Sequence, residues 1–433
     1  MTTHPLADIA TWAETPGPNG IPSVCSAHPI VLEACMRAVL PTPLPLLIEA
    51  TCNQVNQDGG YTGMTPQNFR DQVFGIANRT GFPHERLILG GDHLGPNPWK
   101  ALPPDAAMQK AETMIAAYAR AGFTKLHLDC SMGCAGEPVA LGDHQTAARA
   151  ARLAAAAEAA LPCVLPSALP GAPVPPPVYI IGTEVPVPGG AMEALDTLAI
   201  TSPAAARTTV DIHRAAFAQA GLTAVFNRVI GLVVQPGVEF GNHNVIDYTP
   251  TAARALSAAR AKLPGMVFEA HSTDYQTPAA LTALVRDGFA ILKVGPGLTF
   301  ALREALYGLD LIAEELHPSV RPISLRATLE QVLLDHPAHW QSYYEGTPEE
   351  QRLLRHFSLS DRIRYVWPDP RADAAVTALL EMLGADAIPE PLISQYLGQL
   401  SARVRAGHLA TDANTLLLAS IETALAPYIA ATQ

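Results

Sequence analysis

Seven residues able to bind a metal or move a proton stand just after short apolar stretches of this chain: Asp92, His93, Asp129, Glu184, Gln235, Glu269 and His271. Histidines and carboxylates from separate segments can form a three- or four-ligand site with an open position, which a catalytic divalent cation requires. Each alone has a plainer reading as a cap or a satisfied buried group, so the weight lies in their shared placement. Residues 53–61, which include Asn53 and Gln54, add a run of amide side chains. Amides donate and accept without charge and suit a polyhydroxylated ligand, although a turn-rich loop that satisfies its own backbone has the same composition.

Other residues in the same kind of place point to an anion. Ser272-Thr273-Asp274 and the run from Gly295 to Thr299 can present backbone N–H groups or hydroxyls, so a phosphate or a sugar hydroxyl end is expected there. Lys293, Arg362 and Arg364 are the nearest cationic candidates, each with a salt-bridge alternative. Ser26 and His28 follow the first apolar stretch and can touch a substrate, with capping or packing of the following helix as the alternative for His28.

What must position them is an alternating fold. Eight apolar stretches, at 21–25, 46–50, 87–89, 126–128, 179–181, 229–234, 266–268 and 291–294, read as strands buried on both faces. Helical segments are expected at 30–39, 66–78, 105–121, 145–160, 203–220, 250–262, 278–287 and 300–316. Pro66, Pro203, Pro250 and Pro278 each follow a Ser or Thr, the cap-then-proline start of a helix. Eight such units predict an α/β fold, a (β/α)8 TIM barrel whose site gathers at the strands' C-terminal ends. An open doubly wound sheet is the alternative, but the GxGxxG fingerprint it often carries after its first strand is missing. The barrel is expected over residues 1–317, with a helical extension packed on it over 318–433.

Composition narrows the partners. A net charge of −12 argues against nucleic acid or a membrane surface as ligand, while leaving room for a small phosphorylated substrate held by a few local donors. No apolar run is expected to approach the roughly 18–20 residues of a membrane span. The first twenty residues lack a basic start and an apolar core, so a cytoplasmic location is expected. Six cysteines without a CxxC pair read as free buried thiols.

The strings SVCSAHP (23–29), EATCNQVNQ (49–57), GGDHLGPNPW (90–99), GTEVP (182–186), FEAHSTDYQ (268–276) and DRIRY (361–365) carry a resemblance. Over nearly its whole length the chain resembles the family of the tagatose-bisphosphate aldolase non-catalytic subunit. That family includes metal-dependent tagatose and fructose 4-epimerases and was once labelled tagatose-6-phosphate kinase. No GxxxxGK[ST] nucleotide loop is present to support the kinase label. The family is similar in turn to class II, zinc-dependent fructose- and tagatose-bisphosphate aldolases.

In those aldolases an Asp-His pair follows the third strand, the Asp acting on substrate and the His on metal. The resemblance thus implies these roles for Asp92 and His93, and metal ligation by Glu184 and His271. The further histidine after the sixth strand is Gln235 here, and an amide oxygen is a weaker zinc ligand than imidazole. Zinc is the metal implied first, with manganese, nickel or cobalt as alternatives.

The implied activity is epimerisation of a ketohexose, or its phosphate, at C4. The metal would hold the carbonyl and its neighbouring hydroxyl, with Asp92, Asp129 and Glu269 as acids and bases. The route is either C3–C4 cleavage with turning of the aldehyde fragment, or direct proton removal and return at C4. The competing reading is a non-catalytic subunit that stabilises a separate class II aldolase. A homo-oligomer is expected in either case.

Overall fold

The structure, a computed structural model, describes residues 3–15, 17–161, 174–182, 198–319 and 324–433. Eight strands form the barrel: β1 (Ile21–Val24), β2 (Leu46–Thr51), β3 (Leu87–Leu94), β4 (Lys125–Leu128), β5 (Val178–Ile181), β6 (Val229–Val234), β7 (Val267–Ala270) and β8 (Ile291–Val294). All pair in parallel, and β1 meets both β2 and β8, so the sheet closes into the (β/α)8 TIM barrel expected from the sequence. Outside it pack α1 (Pro29–Val39), α2 (Pro66–Thr80), α3 (Pro104–Arg120), α4 (Asp143–Ala160), α5 (Pro203–Gln219), α6 (Pro250–Ala259), α7 (Pro278–Arg286) and α8 (Pro296–Leu316). Thr65, Ser202 and Thr277 cap α2, α5 and α7 through their side chains; Thr249 precedes α6 without such a bond.

The inward-facing residues alternate along each strand, as a period of two requires, and they stack in layers of different chemistry. The floor is apolar: Ile21, Leu47, Ile88, Val178, Val267 and Ile291 pack with Leu6 and Ile9 of the N-terminal segment. Two residues further along four strands, or on the same level, come Glu49, Lys125, Glu269 and Lys293, all buried. Gly90 makes room for this layer, since a Cβ there would stand 2.8 Å from Glu49 Cγ. Above it lie Asp92, His127 and His271.

The strand β3 runs further than the sequence suggested, through Asp92 and His93 to Leu94. Its pairing with β4 shifts register between Gly91 and Leu94, and His93 has φ +47°. An unbroken strand would send neighbouring residues to opposite faces. The irregularity lets both Asp92 and His93 line the mouth.

Helices continue beyond α8, and the last, Ala413–Thr432, packs against α1, α7 and α8. Tyr428 Oη within it donates to Thr273 O at 2.6 Å. This helix corrects the expectation about apolar runs: at 20 residues and mean hydropathy 1.3 it is long and apolar enough to cross a membrane. Its hydrophobicity is spread around the helix because most of its surface is buried against the barrel. Five free cysteines are found among the described residues.

Candidate active site

A cavity of about 200 Å³ opens at the C-terminal ends of the strands. The barrel contributes Cys25, Asn53, Gln54, Asp92, His93, Asp129, His271, Ser272, Asp274, Lys293 and Gly295 to its wall, and the extension contributes Tyr343, Arg362, Arg364 and Tyr365. Four described non-glycine residues have positive φ: His93, Ser272, Tyr275 and Asp361. Two of them line this cavity and the other two adjoin residues that do, a clustering of strained backbone typical of functional sites.

At the cavity's base, one ligand atom from each of Asp92, His93, His127 and His271 lies within 4.8 Å of the others. Hydrogen bonds set the tautomers. His93 Nδ1 lies 2.8 Å from Asp129 Oδ2, and His271 Nε2 lies 2.9 Å from Glu269 Oε1. Burial works to raise both carboxyl pKa values, but the His93 contact for Asp129, and Lys125, Lys293 and His271 for Glu269, hold them well below the usual range. Both carboxylates therefore accept, so His93 Nδ1 and His271 Nε2 are the nitrogens that donate. Burial also pushes His271 down to about 3, which keeps the ring neutral. A carboxylate on one nitrogen and a lone pair on the other is how metal-binding histidines are held.

His127 is arranged differently. Its Nε2 donates to Gly182 O at 2.9 Å, and its Nδ1 lies 2.9 Å from Asp92 Oδ1 and 3.2 Å from the backbone nitrogen of His93. A carbonyl oxygen only accepts, so Nδ1 is the nitrogen that exchanges a proton, and Asp92 faces it. Burial works to lower the His127 pKa, but Asp92 outweighs it and the net shift is upward. Asp92 itself is held well below the carboxylate range, where His93, Lys293, His127 and His271 overcome burial.

Beneath lies a buried ion-pair cluster. Lys125 Nζ is 2.5 Å from Glu49 Oε1 and 2.7 Å from Glu269 Oε2. Lys293 Nζ is 2.6 Å from Glu49 Oε2 and 2.9 Å from Asp92 Oδ1. Lys293, expected near an anion, is thus a partner of Asp92.

Several expected site residues stand elsewhere. Glu184 lies outside the described residues. Gln235 is withdrawn from the cluster: its Oε1, the atom a metal would use, accepts from the backbone N–H groups of Gly237 and Val238 at 2.8 and 3.0 Å. Glu269 sits in the ion-pair layer behind His271 rather than on the cavity wall. The Ser26 hydroxyl accepts from His28 N at 3.3 Å, and His28 packs edge-on to Trp367; neither lines the cavity. Thr299 donates to Asp361 Oδ2 at 2.5 Å and so ties α8 to the extension instead of facing a ligand.

Among the loop residues, Gln54 is braced by Thr51 N, which donates to its Oε1 at 2.8 Å. Asp274 Oδ1 accepts from Gly295 N and Gly297 N at 2.9 and 2.7 Å. Burial raises Asp274 to about 6 against those two donors. Arg362 Nε donates to His339 O, and its guanidinium carbon lies 3.3 Å from the Tyr343 ring centroid. Arg364 Nη1 donates to Asp361 O at 3.0 Å and Nη2 to Tyr365 Oη at 3.1 Å. Among the described residues neither guanidinium has a carboxylate at salt-bridge distance, although the Asp361 and Asp274 carboxylates act on Arg364 from further away.

Sequence reasoning did not assign Cys25, His127, Tyr343 or Tyr365 to the site. For Cys25 and His127 a signal was available: both share the inward period with residues that were singled out. Tyr343 and Tyr365 had none beyond nearness to Arg362 and Arg364.

Comparison with known proteins adds three findings. The family described as D-tagatose-1,6-bisphosphate aldolase subunit GatZ/KbaZ-like matches residues 6–433. A D-tagatose 6-phosphate 4-epimerase of Agrobacterium fabrum is 53% identical over 427 residues, covering 99% of this chain and 98% of that protein. The crystal structure of a probable tagatose 6 phosphate kinase from Sinorhizobium meliloti is 61% identical, covers 95% of this chain and 100% of its own, and superposes with a TM-score of 0.87.

Proposed function

Since the chain belongs to the D-tagatose-1,6-bisphosphate aldolase subunit GatZ/KbaZ-like family, we propose that it is a metal-dependent epimerase that interconverts tagatose 6-phosphate and fructose 6-phosphate at C4. The observation that supports this reading is the pairing, in one cavity, of two histidines oriented by carboxylates with two arginines that have no carboxylate at salt-bridge distance among the described residues. His93 and His271 would hold the cation, and Glu184 is retained as a ligand on the resemblance alone. When bound, a divalent cation supplies Lewis acidity that polarises the ketose carbonyl and the hydroxyl beside it.

The remaining work falls to the chain's own groups. Asp92 takes the proton of the C4 hydroxyl and passes it to His127 Nδ1, 2.9 Å from Oδ1. As that proton leaves, the C3–C4 bond breaks, its electron pair moving toward C3 and the polarised carbonyl. The aldehyde fragment turns, the bond re-forms on its other face, and Asp92 returns the proton. This route avoids removing the C4 hydrogen, which the carbonyl at C2 does not acidify. Asp129 and Glu269 act as positioning residues for His93 and His271. Arg362 and Arg364 hold the phosphate, and Asn53 and Gln54 supply hydrogen bonds to sugar hydroxyls.

The experiment is incubation of the purified full chain with tagatose 6-phosphate or fructose 6-phosphate in D2O, with a chelator and after return of zinc, manganese, nickel or cobalt. Interconversion that is lost on chelation, restored by metal and abolished by Asp92→Asn supports the proposal. Deuterium appearing at C4 would replace the cleavage route with direct proton transfer. A metal-loaded chain inert on every hexose and hexose phosphate, yet able to stabilise a class II aldolase, would establish the partner-subunit reading instead.

A further inference from the structure

Barrels of this fold often bind phosphate on the loops after the seventh and eighth strands, through backbone N–H groups at a helix N-terminus. Here those donors are already engaged. Gly295 N and Gly297 N, at the start of α8, both donate to Asp274 Oδ1. A Cβ at Gly297 would stand 3.0 Å from that same oxygen, so the close approach of backbone to carboxylate depends on glycine. Asp274 is 3% exposed and lines the cavity that Asp92 and His271 also line. The chain has placed a carboxylate of its own where an anionic ligand would otherwise be received. The cavity's arginines, Arg362 and Arg364, which have no carboxylate at salt-bridge distance among the described residues, lie on the extension instead.

We propose that Asp274 is a specificity-determining residue that restricts the substrate to a ketohexose monophosphate. The inference rests on the functional reading above and adds what the site refuses. One phosphate is received by Arg362 and Arg364, and the sugar terminus that reaches Asp274 must be an uncharged hydroxyl, which can donate to the carboxylate. A phosphate at that terminus finds both backbone N–H groups occupied and meets a negative charge. Repulsive elements of this kind are a common source of discrimination.

The test compares fructose 6-phosphate with fructose 1,6-bisphosphate on the metal-loaded full chain, by titration calorimetry and by epimerisation rate. Like-charge contact predicts that the wild type binds the bisphosphate on the order of 100-fold more weakly than the monophosphate. Asp274→Gly, which frees both N–H groups and removes the charge, should narrow that ratio to about tenfold or less. Asp274→Asn keeps the accepting oxygen without the charge and should fall between; it carries the test if the glycine variant does not fold. Equal binding of the two ligands by the wild type, or a ratio unchanged in the variants, overturns the inference. Selective binding without epimerisation would defeat the functional reading and leave this inference standing. Epimerisation of both sugars with equal efficiency would do the reverse, and binding of neither overturns both.

Discussion

Replacing Arg362 tests how the site grips its substrate. Its Nε is committed to His339 O, and its guanidinium is stacked on Tyr343 at 3.3 Å and flanked by Tyr365 at 4.9 Å. These contacts fix the plane and leave the two Nη groups as its remaining donors. A hydrogen bond to a charged group contributes about 1.5–3 kcal/mol, so losing a two-pronged contact with phosphate should cost about 3 kcal/mol, roughly a 150-fold change. Arg362→Ala should therefore lower kcat/KM for tagatose 6-phosphate about 100-fold or more, chiefly through KM, because the phosphate lies away from the reacting carbons. The same variant should change kcat/KM for unphosphorylated tagatose by no more than about threefold, since that sugar never used the contact. Arg362→Lys keeps the charge without the fork and should recover part of the loss. Steady-state kinetics on both sugars decides the matter. An equal loss on both would show that Arg362 only fastens the extension to the barrel, and no loss on either would put the phosphate elsewhere.

Two further expectations concern stability. Lys125→Met removes an ammonium shared by Glu49 and Glu269, all three fully buried, and breaking a buried ion pair typically costs about 3–5 kcal/mol. For 433 residues unfolding with about 2 cal/mol/K of entropy each, that lowers Tm by about 3–6 °C, and an unchanged calorimetric transition would refute it. His28 is pushed down to about 4 by burial alone. Because its folded pKa lies below the unfolded value of about 6.5, its contribution is present above that pH and is lost as pH falls toward 4, by up to roughly 3 kcal/mol. His28→Phe, which keeps an aromatic ring against Trp367, should flatten that part of the acid limb in urea titrations. Superimposable pH profiles for the two proteins would contradict the argument.

The barrel was legible because its signal repeats: eight apolar stretches, each followed by polar residues and a helical segment, leave little choice of topology. His93 and His271 were legible as strand-end residues, though not how His93 reaches the mouth, because a positive φ at a non-glycine residue has no sequence signature. Gln235 misled because a strand-end position does not reveal that nearby backbone N–H groups will claim its amide oxygen. Glu49, Lys125 and Lys293 could have been recognised together. Each is a charged residue at the inward phase of a strand that is otherwise apolar, and only mutual pairing makes that tolerable. The extension's share of the wall was accessible only as the basic pair Arg362 and Arg364, since nothing local says which helical loop will cover a barrel mouth.

The ion-pair layer also bears on why a cation belongs in the proposed mechanism. Four carboxylates, from Glu49, Asp92, Asp129 and Glu269, share the barrel interior with the ammonium groups of Lys125 and Lys293. Beside Asp92, His271 is held neutral and so offsets none of this charge. Buried charge is costly unless compensated, and among these six groups negative charge is in excess. A divalent cation between His93 and His271 would offset that excess and draw on lone pairs that Asp129 and Glu269 have already aimed. The lysine layer then has a distinct task. By fixing Glu49, Asp92 and Glu269 from below it keeps Asp92 ionised beside the substrate, ready to take a proton, instead of letting burial neutralise it.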